Sequence, residues 1–91
     1  MKATIIVTLK PTVLDPQGIT IQRSAQSLGL SEVTVIRQGK YFDVHLAEST
    51  PQERAKELVL KLAKDVLTNP VIEEFRIVWE QNLADGRGTS G

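Results

Sequence analysis

The chain has 91 residues, which is enough for one domain and too few for two packed domains. Its 11 lysine and arginine residues balance 11 aspartate and glutamate residues, so a generally basic protein that binds nucleic acid or an anionic membrane is disfavoured. Cysteine is absent, which excludes disulfide scaffolds, thiolate metal sites and thiol nucleophiles. No apolar run has the length of a membrane span and the polar start is not typical of a signal peptide, so we expect a cytoplasmic protein.

The first third of the chain predicts a strand followed by a helix. Residues 4–9 are mostly β-branched, which favours a central strand. Asp15 followed by Pro16 predicts the helix start, because aspartate is a preferred N-cap residue and proline suits the first helical turn. We expect Gly29 to end this helix in a left-handed conformation, with Leu30 in position for the contact of a Schellman motif.

The rest of the chain predicts three more strands and a second helix. Residues 32–37 and 41–47 are expected to pair through a tight turn at Gln38-Gly39, where glycine tolerates a positive φ. Residues 50–53 have the order of a capping box, and Asn69-Pro70 is expected to stop the helix that follows. A last strand is predicted over about residues 72–79. The apolar stripe of the second helix comprises Ala55, Leu58, Val59, Leu62 and Val66.

The resulting order, β-α-β-β-α-β, is typical of the ferredoxin-like α+β class, in which two helices cover one face of a four-stranded antiparallel sheet. We expect one such domain over residues 1–80 and a flexible, glycine-rich tail over residues 81–91. A right-handed crossover would bring residues 10–18, 37–40 and 68–72 to one end of the sheet.

Polar residues of the chain do not form a pattern that predicts an active site. His45 is the only histidine and has no second ligand for a metal, and Glu73-Glu74 is interpreted as a solvated start of the last strand. Lys10, Arg37 and Lys40 are candidates for small-anion binding near a helix start, but Asp15 as N-cap would already accept from the N–H donors there. A protein-docking surface is therefore the favoured interpretation of this end.

The face of the sheet away from the helices is predicted to carry Ile6, Tyr41 and Val78. Apolar side chains exposed in this way on a small domain usually mark association. Since a chain of this size also gains stability from burial between subunits, we expect a homo-oligomer, either a dimer or a tetramer.

Three stretches carry a resemblance to a known family: residues 8–18 (TLKPTVLDPQG), 37–41 (RQGKY) and 69–75 (NPVIEEF). Together they closely resemble the PurS family, the small subunit of phosphoribosylformylglycinamidine synthase (formylglycinamide ribonucleotide amidotransferase), over roughly residues 2–80. Thr12 departs from the family pattern, in which glycine is usual at this position.

The resemblance implies a non-catalytic subunit of an ATP-dependent carbon–nitrogen ligase in purine synthesis. Its partners would be a large synthetase subunit, which binds ATP and magnesium, and a glutaminase subunit, while this chain would bind no cofactor. Two copies of the chain would align these partners for ammonia transfer. The residues that the resemblance assigns to docking are Lys10, Leu14, Asp15, Gln17, Gly18, Gly39, Lys40, Asn69 and Pro70, and Arg37 is added because it lies at the same predicted end. Asp15, Gly39 and Asn69-Pro70 are equally explained as a helix start, a turn and a helix stop without any docking role.

Two other functions are compatible with the same predicted fold. A regulatory module would bind a small ligand, such as a metabolite, at a subunit interface. An acylphosphatase-like enzyme would need an arginine in the loop after the first strand, and Arg23 lies on the predicted helix instead.

Overall fold

Three strands form one antiparallel sheet in the computed structural model, which describes residues 1–80, and the first strand, Lys2–Leu9, lies between the other two. The predicted flexible tail, residues 81–91, lies outside the described residues. A π-helical turn, Ala63–Leu67, directly follows the second helix. The elements in chain order are β1 (Lys2–Leu9), α1 (Pro16–Ser27), β2 (Gly39–His45), α2 (Gln52–Leu62) and β3 (Glu73–Glu80).

Strand β1 lies at the centre of the sheet, and its alternate side chains are the most completely buried of the three strands. Ala3, Ile5 and Val7 are buried on the face that α2 covers, where they contact Val59. Phe42, Val44, Phe75, Ile77 and Trp79 of the flanking strands pack around them. The core is therefore one layer between the sheet and α2.

The prediction of a fourth strand was wrong for the described part of the chain. Residues 32–37 have no ladder partner, and β2 is therefore an edge strand. The predicted turn at Gln38-Gly39 is also absent: Gln38 leads directly into β2, and Gly39 does not adopt a positive φ. Glycine is needed at position 39 for another reason: a Cβ there would lie 2.7 Å from the carbonyl oxygen of Val7 in the neighbouring strand.

Helix α1 begins and ends as predicted. The Asp15 carboxylate accepts a hydrogen bond from the Gly18 N–H, and Gly29 adopts a φ of 91°. The N–H groups of Gly29 and Leu30 donate to the carbonyl oxygens of Gln26 and Ala25, which is the hydrogen-bond pattern of a Schellman motif.

The predicted packing of α1 was wrong. No residue of α1 belongs to the hydrophobic core formed by the sheet and α2, and Gly18 is the only buried residue of the helix. Residues 33–38 run back beside α1 towards β2, so α1 contacts this returning segment instead of the sheet. The second helix alone covers the core face of the sheet.

Ala55 and Val59 of the predicted apolar stripe are buried in α2, whereas Val66 lies in the π-helical turn and is 69% exposed. The predicted capping box is absent. Pro51 has an extended ψ of 149°, so the helix begins one residue later than expected and no side chain caps it. Within residues 1–80, no helix is both long and apolar enough to cross a membrane.

Candidate partner-docking site

Three segments distant in sequence meet where β1 ends. The N–H of Lys10 donates to the carbonyl oxygen of Ile72 at 2.9 Å. The guanidinium of Arg37 donates to the carbonyl oxygens of Lys10 and Val13, each at 3.1 Å. The structure therefore brings together residues 10–18, 37–40 and 68–73, which we call the docking end.

Asp15 organises the centre of the docking end. Its side chain accepts from the N–H of Gly18 at 2.9 Å and from the N–H of Gln38 at 2.7 Å, and the residue is 6% exposed. The hydrogen bond from Gln38, and then that from Gly18, hold the pKa of Asp15 below its ordinary value. Because the carboxylate already accepts from the start of α1, this helix start is not open to an anion.

Gly18 and Gln17 hold α1 close to the returning segment. A side chain at Gly18 would collide with the carbonyl oxygen of Ile36, so the approach of the two backbones requires glycine. The amide of Gln38 donates to the side-chain oxygen of Gln17. The base of α1 is therefore fixed to the segment that leads into β2.

The interpretation of Glu73 as a solvated residue was wrong. Its carboxylate lies 3.4 Å from the ammonium of Lys40, accepts from the N–H of Asn69 at 2.7 Å, and its side chain is 14% exposed. The hydrogen bond from Asn69, assisted by the Lys40 ion pair, lowers the pKa of Glu73. This role of Glu73 was not predicted from the sequence. A signal for it was Asn69-Pro70, which begins four residues earlier and marks a tight connection where a carboxylate is a suitable hydrogen-bond acceptor.

Asn69 shapes the connection between α2 and β3. Its side-chain oxygen accepts from the N–H of Val71 at 3.0 Å, and its carbonyl oxygen accepts from the N–H of Glu73 at 2.7 Å. This is the behaviour of an Asx turn, in which the side chain replaces a backbone acceptor. Pro70 and Val71 project from the turn and are exposed.

The side chains left exposed at the docking end are mixed in chemistry. Leu14 is 68% exposed and Val71 is 76% exposed. Within the described residues, the ammonium of Lys10 makes no ion pair, whereas Arg37 and Lys40 are held by the contacts above. Exposed apolar side chains beside a free cation are typical of a protein interface. Val71 was not among the predicted docking residues, because a valine in a sequence gives no sign that its side chain is exposed.

The three residues predicted for an oligomer interface lie together on the open face of the sheet. Ile6 is opposite Tyr41 in the ladder, and Val78 is opposite Thr4, two residues from Ile6 on the same face. Tyr41 and Val78 are exposed, at 63% and 42%. Their role in association stays a prediction.

Charged residues border this open face at one end. The ammonium of Lys2 lies 3.2 Å from Glu80 and 3.9 Å from Asp43. The hydrogen bond to Glu80, with the charges of both carboxylates, raises the pKa of Lys2. An apolar centre with a charged border is an arrangement that suits a second protein surface.

Comparisons with known proteins agree with the resemblance of the three stretches. The PurS family, described as phosphoribosylformylglycinamidine (FGAM) synthase, matches residues 2–81. The phosphoribosylformylglycinamidine synthase subunit PurS of Methanocaldococcus jannaschii is 40% identical over 80 residues, which cover 88% of this chain and 95% of that protein. The PurS subunit of Bacillus subtilis is 35% identical over 83 residues, or 91% of this chain and 96% of that one.

Solved structures show the same fold. The crystal structure of Methanocaldococcus jannaschii PurS, one of the subunits of formylglycinamide ribonucleotide amidotransferase, has a TM-score of 0.74 and covers 85% of this chain and 92% of its own. A chain of PurLQS from Thermotoga maritima is 35% identical, also with a TM-score of 0.74, and covers 85% of this chain and 93% of its own. The chain therefore belongs to the PurS family of phosphoribosylformylglycinamidine synthase subunits.

Proposed function

We propose that this chain is the small subunit of a phosphoribosylformylglycinamidine synthase and acts in purine synthesis by assembly, without catalysing a reaction itself. The observation that carries the proposal is the match over residues 2–81 to a family of subunits of this synthase. The similarity to a chain of the PurLQS structure supports a role inside a complex with a synthetase and a glutaminase subunit.

The docking end supplies the surface for those partners. Hydrogen bonds and one ion pair fix its three segments before any partner binds, so little conformational entropy is lost on association. Its exposed side chains, Leu14, Lys10 and Val71, then contact the partners. Holding two active sites in a fixed relation raises the effective concentration of the ammonia passed between them.

The chemistry of the reaction belongs to the partners in this proposal. ATP and magnesium bind to the large synthetase subunit, and the glutaminase releases ammonia. The small chain works in the cytoplasm as a homo-oligomer, with Ile6, Tyr41 and Val78 at a contact between copies. Two copies then present two docking ends.

An association experiment tests the proposed assembly role. The large subunit and the glutaminase are mixed with and without this chain, and their complexes are separated by size exclusion with light scattering. We expect the large subunit and the glutaminase to elute together only when this chain is present. Co-elution of the two large partners to the same extent without it would overturn the proposal.

The regulatory module is less well supported, because the relatives are subunits of a synthase. Calorimetry of the isolated chain with purine nucleotides and amino acids distinguishes the two functions. An assembly subunit gives no saturable heat, whereas a regulatory module binds its ligand without the partner proteins.

A further inference from the structure

Strand β3 has a free edge within residues 1–80, since the sheet order places it beside β1 only. The N–H of Lys10 donates to the carbonyl oxygen of Ile72 directly opposite. Backbone groups alternate between the two sides of a strand, so those of the even-numbered β3 residues point to β1. The N–H and carbonyl groups of Phe75, Ile77 and Trp79 therefore point away from the sheet, and no backbone group in the described part of the chain pairs with them.

The usual features that protect an edge strand are missing from β3. Natural edge strands are short, or they contain a proline, a bulge or an inward-pointing charge. Strand β3 has eight residues without proline, and its register with β1 is continuous. The one charged side chain on its core face, Glu73, is held by Asn69 and Lys40 at the start of the strand. The edge is therefore suited to pairing with an added strand.

A cavity lies at the start of this edge. It has a volume of about 410 Å³, and Lys64, Asp65, Pro70 and Phe75 are among the residues that line it. Because Ala63 of the π-helical turn belongs to the hydrophobic core, the cavity lies on the core side of β3. A side chain of an added strand that faces the same way as Phe75 would enter it. An edge with a pocket for alternate side chains is typical of recognition by strand addition.

The open face of β3 indicates which charges an added strand would carry. Glu74 and Arg76 are neighbours on this face, are exposed, and make no ion pair within residues 1–80. Opposite charges on adjacent strands attract, whereas like charges directly opposite each other are destabilising. The edge therefore favours a segment with a cation beside Glu74, a carboxylate beside Arg76, and apolar side chains on its other face.

A second copy of the chain is a poor occupant of this edge. An antiparallel pairing of two β3 strands that uses all three outward-pointing residues is centred on Ile77. It places Glu74 of each copy opposite Glu80 of the other, so like charges face each other at both ends of the pairing. The edge therefore favours a partner with a different sequence.

We propose that an extended segment of a partner subunit of the synthase adds to the free edge of β3 as a fourth strand. Main-chain hydrogen bonds to the three outward-pointing residues bind the segment, and the charges of Glu74 and Arg76 fix its register. The edge begins at Glu73, which belongs to the docking end, so the two surfaces are continuous. The proposal rests on the assembly role proposed above, since that role supplies the partner.

Hydrogen exchange tests the added strand. The complex with the large subunit and the glutaminase is exchanged in deuterated water and quenched, and the amide signals of this chain are then measured by NMR. In the isolated chain, the N–H groups of Ile77 and Trp79 are expected to exchange faster than those of Arg76 and Val78, which already donate to β1. In the complex, we expect exchange at Ile77 and Trp79 to slow by about tenfold or more.

Charge variants test the register of the added strand. Glu74→Lys is expected to raise the dissociation constant of the chain for its partners about tenfold or more, because it places a cation beside the cation of the added strand. Arg76→Glu should act in the same direction. Glu48→Lys is the matched control, since Glu48 is exposed, lies outside β3 and makes no ion pair within residues 1–80. Circular dichroism checks that all three variants fold.

The outcomes separate this proposal from the assembly role. Binding of the partners without slower exchange at Ile77 and Trp79 would overturn the added strand and leave the assembly role intact. Slow exchange of both amides in the isolated chain would show that the edge is already occupied and would contradict the proposal as well. Equal effects of Glu74→Lys and Glu48→Lys would overturn the assigned register. If the chain bound neither partner, the assembly role itself would fail.

Discussion

The carboxylate of Asp15 and the backbone N–H of Gln38, 23 positions apart in sequence, are joined by a hydrogen bond of 2.7 Å. The second oxygen of the same carboxylate caps α1 through Gly18. One side chain therefore fixes both the start of a helix and the segment that leads into β2. This double role joins two segments of the docking end that are far apart in the sequence.

Replacing Asp15 tests this double role. Asparagine keeps one oxygen for the Gly18 N–H, but its amide group would face the N–H of Gln38, so two donors would oppose each other. Alanine loses both hydrogen bonds. We expect the urea midpoint to fall in the order wild type, Asp15→Asn, Asp15→Ala. Asp65→Asn is the matched control, since Asp65 forms only an exposed ion pair with Lys61 and should change stability by less than about 0.5 kcal/mol. Equal midpoints for the wild type and Asp15→Asn would contradict the role assigned to Gln38.

Acid should destabilise the protein through Asp15 and Glu73. The folded state lowers the pKa of both carboxyl groups, so it binds fewer protons than the unfolded chain. Their contribution is complete above the ordinary pKa values near 4 and is lost as the pH falls through the lowered values. Urea unfolding between pH 2 and pH 7 measures this dependence.

The double variant Asp15→Asn/Glu73→Gln is the control for the pH dependence. It should be less stable than the wild type at pH 7 and lose less additional stability on acidification. If the wild type and the double variant lose the same free energy of unfolding between pH 7 and pH 2, groups other than Asp15 and Glu73 cause the pH dependence.

The prediction about the hydrophobic core compares a buried and an exposed residue that are neighbours in α2. Val59 is 1% exposed, so Val59→Ala should lower the free energy of unfolding by about 2 kcal/mol. Leu60→Ala removes a larger side chain from the exposed side of the same helix and should change it by less than about 0.5 kcal/mol. Denaturant unfolding of both variants at equal protein concentration checks the difference. Similar losses would contradict the packing of α2 on the sheet.

Leu14 is the clearest probe of the docking end because it is exposed and apolar. If it is buried against a partner, Leu14→Ser should weaken binding of the large subunit about tenfold or more without loss of stability. Leu60→Ser, also an exposed leucine, should bind as the wild type does. Titration with the large subunit by calorimetry measures both. Unchanged binding of Leu14→Ser would remove this residue from the proposed interface.

A charge reversal gives an independent probe of the same surface. Lys10→Glu changes a cation that forms no ion pair in the described residues, and it should slow association with the partner. Lys40→Glu is a poorer choice, since it also breaks the contact with Glu73 and so perturbs the site itself. Lys56→Glu on the exposed side of α2 is the matched control.

The sequence predicted those parts of the fold that depend only on residues close together in the chain. Asp15 and Gly29 cap α1 as expected because capping involves only neighbouring backbone groups. Every second side chain of a strand shares a face, which places Ile5 and Val7 together, and the structure buries both in the core.

The predictions that were wrong share one physical cause, since each depends on contacts between residues that are far from each other in the local pattern. Residues 33–36 are β-branched and have strand propensity, but propensity does not supply a partner strand, and the described residues pair none with them. Glycine at position 39 suggested a turn, whereas the structure needs it for the approach of Val7. Glu73 was missed because its burial depends on the contacts with Lys40 and Asn69, which no local pattern encodes.

Activity with two nitrogen donors tests the central claim most directly. The large subunit and the glutaminase are assayed with glutamine and separately with ammonium chloride, each with and without this chain. The account predicts that the chain is required for glutamine-dependent synthesis and that ammonia-dependent synthesis by the large subunit proceeds without it. Full glutamine-dependent activity in the absence of the chain would contradict the account.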